Sequence, residues 1–158
     1  MQKSIIGSSV HKESNNSILD SWLDIEPLVD VEVSSEEHLN PIEFALLLNC
    51  NQGWHAATPG PQVIRLLFKT AQDIESIFLE FEEEKIERTQ EFVLRYYDIK
   101  NQSHEILRQQ WNFSPKGANR EIEEIKVKLS ALKTLELYIT PDINNNEVYA
   151  TLKSLRIA

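Results

Sequence analysis

Trp111, Asn112 and Phe113 close a run of alternating residues and open the loop SPKGAN, which leads on to Asn119 and Arg120. A flat aromatic face beside forked amide and guanidinium groups is what a polyhydroxylated ring requires. The indole covers apolar C–H surface, while Asn and Arg offer paired donors and acceptors to hydroxyls. Arg88 adds a second guanidinium. These residues are candidate carbohydrate contacts, and a plainer reading stands beside them: Trp111 in the core, the others solvated. A second aromatic pair, Trp54–His55, lies in NQGWHAATPGPQVIRLLF. Trp54 is expected chiefly as a plug over the end of a β-domain, with His55 as its solvent-side neighbour and a candidate contact. In PDINNNE, Asp142, Asn144 and Glu147 are oxygen donors of the kind a structural calcium takes, in a segment that also reads as an ordinary turn.

Catalytic patterns are missing. No G-x-S-x-G, H-E-x-x-H or P-loop occurs. His11, His38, His55 and His104 are scattered without metal-ligand spacing, and EEEKIERTQE lacks the alternating Asp/Asn and the Gly of an EF-hand loop. Cys50 is the one cysteine, expected as a buried thiol. A non-catalytic binding module is the reading, with no cofactor beyond the calcium considered above.

Composition narrows the partners. The chain has 158 residues, enough for one domain, and a formal charge of −9 with a pI near 4.9. No basic field exists to attract phosphates, so neither nucleic acid nor an anionic membrane surface is expected as a partner. Ile5–Ile6 is too short for a signal-peptide core, and no run approaches the roughly 18 apolar residues of a membrane span. A cytoplasmic location is expected.

These residues need elements to position them. Residues 1–28 read as an N-terminal tail with a short helix, which Ser17 caps and which carries Ile18, Leu19 and Trp22 as far as Leu23 before Pro27. Residues 29–158 read as one β-domain. Val29, Val31 and Val33 alternate with acids, and Ile64, Leu66 and Phe68 alternate in QVIRLLF. In residues 72–97 a helical stripe of Ile74, Ile77, Phe78 and Phe81 competes with strand alternation. Two strands joined by a charged turn around Glu83–Glu87 are expected over one long helix. HEILRQQWNF, REIEEIKVKL, TLELYIT and VYATLKSLRIA read as further strands. Short strands with polar loops point to an all-β antiparallel sandwich of jelly-roll order. Its expected core holds Ile64, Leu66, Phe68, Ile77, Leu79, Phe81, Leu94, Leu135, Leu137 and Ile139.

From Val31 to Ala158 the chain resembles the discoidin-like, galactose-binding-domain-like modules, which include coagulation-factor C-type domains and carbohydrate-binding modules. The matching features are Trp54 followed by PGPQVIRLLF, a strand like IESIFLEF, the run EFVLRYYDIKNQSHEILRQQ, and the closing pieces TLELYITPD and ATLKSLRIA. The chain lacks the bracketing cysteines of the secreted members and a run of exposed loop aromatics. The resemblance implies ligand binding by loops at one end of the sandwich. It thereby places Trp111, Asn112, Asn119, Arg120, Arg88 and His55 as tentative contacts, and the structural calcium of some members keeps Asp142, Asn144 and Glu147 in view. It also implies an alternative, a protein-interaction domain using a sheet face or edge. On that reading Trp111 is buried and the outward residues Arg95, Tyr97, Arg108 and Gln110 meet another protein.

Overall fold

The computed structural model describes residues 1–5 and 22–158. Its elements are β1 (Lys3–Ile5), β2 (Val29–Val33), the short helix α1 (Glu43–Leu46), β3 (Trp54–Pro59), β4 (Gln62–Glu82), β5 (Arg88–Tyr97), β6 (Ser103–Phe113), β7 (Arg120–Thr140), β8 (Tyr149–Leu152) and β9 (Ser154–Ile157). No helix among the described residues is long and apolar enough to cross a membrane.

Two long strands organise the fold. β4 and β7 each run for 21 residues. A straight strand of that length would extend about 70 Å, far beyond a globule of this size, so both must bend. On β4 the pairing register shifts between Leu67 and Ser76. On β7 the bend coincides with Ala131, whose φ of 54° lies in the left-handed region, and its N–H donates to Asp73 Oδ1 at 3.0 Å. Each strand therefore serves two layers. The first half of β4 and the second half of β7 join β1, β2, β5 and β6 in the order β1-β2-β4-β7-β5-β6. The second half of β4 pairs with β9 on one side and the first half of β7 on the other, and β3 pairs with β8. The period-2 alternation turns one face of each layer inward, and both faces feed one continuous core. Phe81 of one layer stacks on Phe92 of the other at 5.5 Å between ring centroids.

The expected core residues are all buried, and the charged turn falls between Glu82 and Arg88 as expected. Other expectations need correction. The segments QVIRLLF and IESIFLEF are one strand, as are REIEEIKVKL and TLELYIT, because a bulged strand changes layer without ending. The closing strand instead splits at Lys153, whose N–H donates to Glu80 O at 2.9 Å. The Gly- and Pro-rich stretch around Trp54 contains β3, made regular by its partner β8. The helix expected over Ser17–Leu23 lies largely outside the described residues. Its last residues are irregular: Leu23 N–H bonds Ile157 O at 2.8 Å, and Trp22 packs on Phe78.

The start of the expected tail is an edge strand, parallel to β2. Lys3 holds it there, its ammonium 3.0 Å from Glu36 and 2.6 Å from Glu43 with only 5% of the side chain exposed. Lys3→Met should strand both carboxylates and release β1, costing about 1–3 kcal/mol in urea unfolding. A midpoint equal to wild type would show that β1 adds nothing to the sheet.

Candidate functional site

At one end of the sandwich the loops are tied together. Ser34 and Ser35 donate to Gln62 Oε1 at 2.6 and 2.7 Å, Gly60 N–H bonds Val148 O, Ile143 N–H bonds Thr89 O, and Glu83 N–H bonds Asn119 O. Trp54 is fully buried beneath this end, with its Nε1–H donating to Ser35 O at 2.9 Å. Gly53 makes the approach possible: at φ 81°, a Cβ there would lie 2.9 Å from Leu152 O. His55 is half-exposed, its Nδ1 3.5 Å from Glu37.

The candidate contacts read from sequence are not brought together. Adjacent residues of a strand point to opposite faces. Trp111 therefore turns inward against Phe113 while Asn112 faces solvent, its Oδ1 accepting from Thr89 Oγ1 at 2.7 Å. Asn119 is exposed in its loop. Arg120 lies on the outer surface of the opposite layer, ion-paired to Glu80. Arg88 is buried: it bonds Glu83 at 2.7 Å, Gln90 at 3.0 Å and Pro141 O at 2.8 Å, and its guanidinium lies 4.5 Å over the Phe113 ring. Arg88 is thus an interior part of the sandwich, and Trp111 is half-buried against its core. Asp142 Oδ1 accepts from Asn144 N–H at 3.0 Å and Thr89 N–H at 3.4 Å, and Asn145, not Glu147, supplies the next turn's acceptor, so these bonds build a turn. Among the described residues no group of three or more His, Cys, Asp or Glu side chains could hold a metal ion. Cys50 is half-buried rather than buried. Burial pushes its thiol above the ordinary range, away from thiolate reactivity.

Behind Arg88 lies a polar interior. Gln90, fully buried, donates to Glu121 Oε1 at 3.3 Å across the two layers. Arg88 Nη2, Trp111 Nε1 and Glu121 Oε2 are buried without a hydrogen-bond partner. Desolvation, with the neighbouring Glu123 carboxyl, pushes the Glu121 pKa up to about 8.

The outer face of the larger layer carries a different constellation, set by register. Glu105, Arg95, Glu136, Arg65 and Glu32 stand opposite one another on β6, β5, β7, β4 and β2, a ladder of alternating charge. Arg65 Nε donates to Glu136 at 2.7 Å, while Arg95 is 3.7 Å from Glu105. In the next row Val93 lies between Arg108 on β6 and Tyr138 on β7. Valine is short and its neighbours are long, so a depression of ≈ 230 Å³ opens over it, lined by Glu91, Val93, Arg95, Arg108, Glu136 and Tyr138. Arg108 donates to Glu91 at 2.8 Å and Glu105 at 3.0 Å, and Gln110 donates to the other Glu91 oxygen at 3.0 Å. Tyr138 is 41% exposed. Sequence reasoning had singled out Arg95 and Arg108 as outward residues but joined neither to Glu91, Glu136 or Tyr138. The usable signal was the outward phase of both strands, which needed the β5–β7 register to become a site.

No family model and no curated protein sequence matches the chain. Solved structures do. A module of Clostridium perfringens, CBM32-4, in complex with GlcNAc-α-1,4-galactose is 14% identical, with a TM-score of 0.61 over 94% of this chain and 99% of that one. The chitosan-binding module 1 of a Paenibacillus sp. IK-5 chitosanase/glucanase is 13% identical, with a TM-score of 0.56 over 81% and 92%. The CBM32 of AlyQ, in complex with 4,5-unsaturated mannuronic acid, is 17% identical, with a TM-score of 0.53 over 83% and 95%. The discoidin-like, galactose-binding-domain-like sandwich expected from the order of strands is the fold of this chain.

Proposed function

We propose that this protein is a non-catalytic carbohydrate-binding module that holds a saccharide ring in the depression over Val93. The carrying observation is the arrangement there: an exposed Tyr138 ring facing Arg108 across an apolar floor, with Glu91 at one end and Arg95–Glu136 at the other. That is an aromatic face plus forked polar groups, the chemistry of sugar recognition. At ≈ 230 Å³ the space is smaller than the about 300–1,000 Å³ typical of drug-sized ligands, and suits one ring. Structures sharing the fold hold sugars. The carboxylates at the depression, Glu91 and Glu136, each accept from a guanidinium. Binding without turnover fits this better than hydrolysis.

A protein partner on the same face is favoured by one feature, the extent of the charge ladder, which spans five strands and exceeds a single sugar ring. Glycan-array screening followed by NMR titration separates the readings. A saccharide should shift the amides of Val93, Arg95, Arg108 and Tyr138, and Tyr138→Ala should weaken it about tenfold or more, some 1.4 kcal/mol. Shifts confined to Asn112, Asn119 and the loop end would move the site there. No saccharide binding, with a protein captured through Arg95 and Arg108, would replace the carbohydrate reading.

A further inference from the structure

We infer that the depression over Val93 selects uncharged saccharides and discriminates against acidic ones, with Arg95 and Glu136 as the hydroxyl partners and Glu105 as the residue that enforces the choice. The inference rests on the carbohydrate reading and deepens it. The fold leaves the ligand's charge open, because similar structures hold a galactose-containing disaccharide and an unsaturated uronic acid, and another is a chitosan-binding module. The charge ladder is what distinguishes among these ligands.

Around the depression stand four carboxylates, Glu32, Glu91, Glu105 and Glu136, and three guanidiniums, Arg65, Arg95 and Arg108. They are paired almost completely. Both Glu91 oxygens are taken, by Arg108 and Gln110, and Glu136 Oε2 is taken by Arg65. Arg108 is shared between Glu91 and Glu105. The sum is one negative charge, on a chain whose formal charge is −9. An incoming carboxylate on Arg65 or Arg108 must displace a bonded glutamate, and on Arg95 it must exchange with Glu105, 3.7 Å away. By either route it exchanges one ion pair for another and enters a negative field.

Hydroxyl groups face no such exchange. A paired carboxylate oxygen keeps a second lone pair, and a paired guanidinium keeps further N–H donors, so a hydroxyl adds to the ladder without displacing anything. Arg95 is placed for this role. Among the described residues its guanidinium makes no hydrogen bond closer than the 3.7 Å ion pair to Glu105, and it stands directly opposite Glu136. Arg95 donates and Glu136 accepts, which matches a pair of neighbouring ring hydroxyls.

NMR titration of the whole chain at pH 7 and low salt tests this. The probes are the methyl glycosides of galactose, glucose, mannose and xylose, with galacturonate and glucuronate. The tightest neutral glycoside should bind at Val93 and Tyr138 at least about tenfold more tightly than either uronate. Glu105→Gln, at a half-exposed position, frees Arg95 and Arg108 from a competitor. It should bring the uronates about tenfold closer to the neutral sugar and leave the neutral affinity within about twofold. A uronate binding wild type as tightly as any neutral glycoside would overturn the selectivity and leave the carbohydrate reading standing. An unchanged ratio in Glu105→Gln would overturn the ladder as its cause. No probe of any charge shifting these amides would overturn the carbohydrate reading itself, and this inference with it.

Discussion

Trp54→Ala should lower the melting temperature by about 10 °C or more. The indole is fully buried at the knitted end of the sandwich, so truncation removes its transfer energy and leaves a cavity, together about 3–5 kcal/mol. A second loss follows from chemistry. The Nε1–H satisfies Ser35 O, and Ser35 is the hub of that end: its hydroxyl donates to Gln62 Oε1 and accepts from Ala57 N–H at 3.0 Å. Removing the indole orphans a buried carbonyl and loosens the junction of three loops. Trp54→Phe separates the two losses, because it keeps most of the ring and drops the donor, and should cost about 1–3 kcal/mol. His55→Ala should stay within about 0.5 kcal/mol, since its contact with Glu37 is an exposed pair at 3.5 Å. Calorimetry on the three variants checks the ranking. A Trp54→Ala protein that melts with wild type but no longer binds saccharide would make residue 54 part of the site.

The contrast between Trp54 and Trp111 shows what sequence could and could not reveal. Trp54 precedes a sharply punctuated turn and a strongly alternating strand, and local signals sufficed to bury it. Trp111 ends an alternating strand at a loop, where nothing local says which face it takes. The pleat puts Trp111 and Asn112 on opposite sides, so a sugar site containing both is geometrically excluded once that strand runs through Phe113. Alternation likewise identified which residues of β4, β5 and β7 face inward, and the core followed. It could not say which outward residues stand side by side, because β5 pairs with β7 across a separation in sequence of 37 to 49 residues. The row Arg108–Val93–Tyr138 exists only in that register. Long strands were hidden for a related reason. A bulge at Ala131 breaks the alternation while the chain continues into the other layer, so one strand reads as two.

Glu121 should make the fold less stable as pH rises through neutrality, and Glu121→Gln should abolish that loss. The carboxyl is fully buried on the inner face of β7, with a pKa of about 8 against an ordinary 4.5. Desolvation is the largest cause, and the Glu123 carboxyl adds to it; the Gln90 bond and the Arg88 charge act in the opposite direction. The sign follows from proton binding. Between pH 4.5 and about 8 the folded state holds a proton that the unfolded state has released, so stability falls as pH rises. The contribution is complete below pH 4.5 and gone above about 8. The loss should amount to about 2–4 kcal/mol. Glutamine reproduces the shape of the neutral acid and cannot ionise. Urea unfolding should therefore find Glu121→Gln near wild type at pH 5 and more stable by that amount at pH 9, where the wild type must bury a desolvated carboxylate beside Glu123. Glu123→Gln should move the wild-type decline to lower pH, because it removes a cause of the upward shift. Parallel curves for wild type and Glu121→Gln from pH 5 to 9 would mean that Glu121 ionises in the fold at no cost, with the gap between the layers open to water.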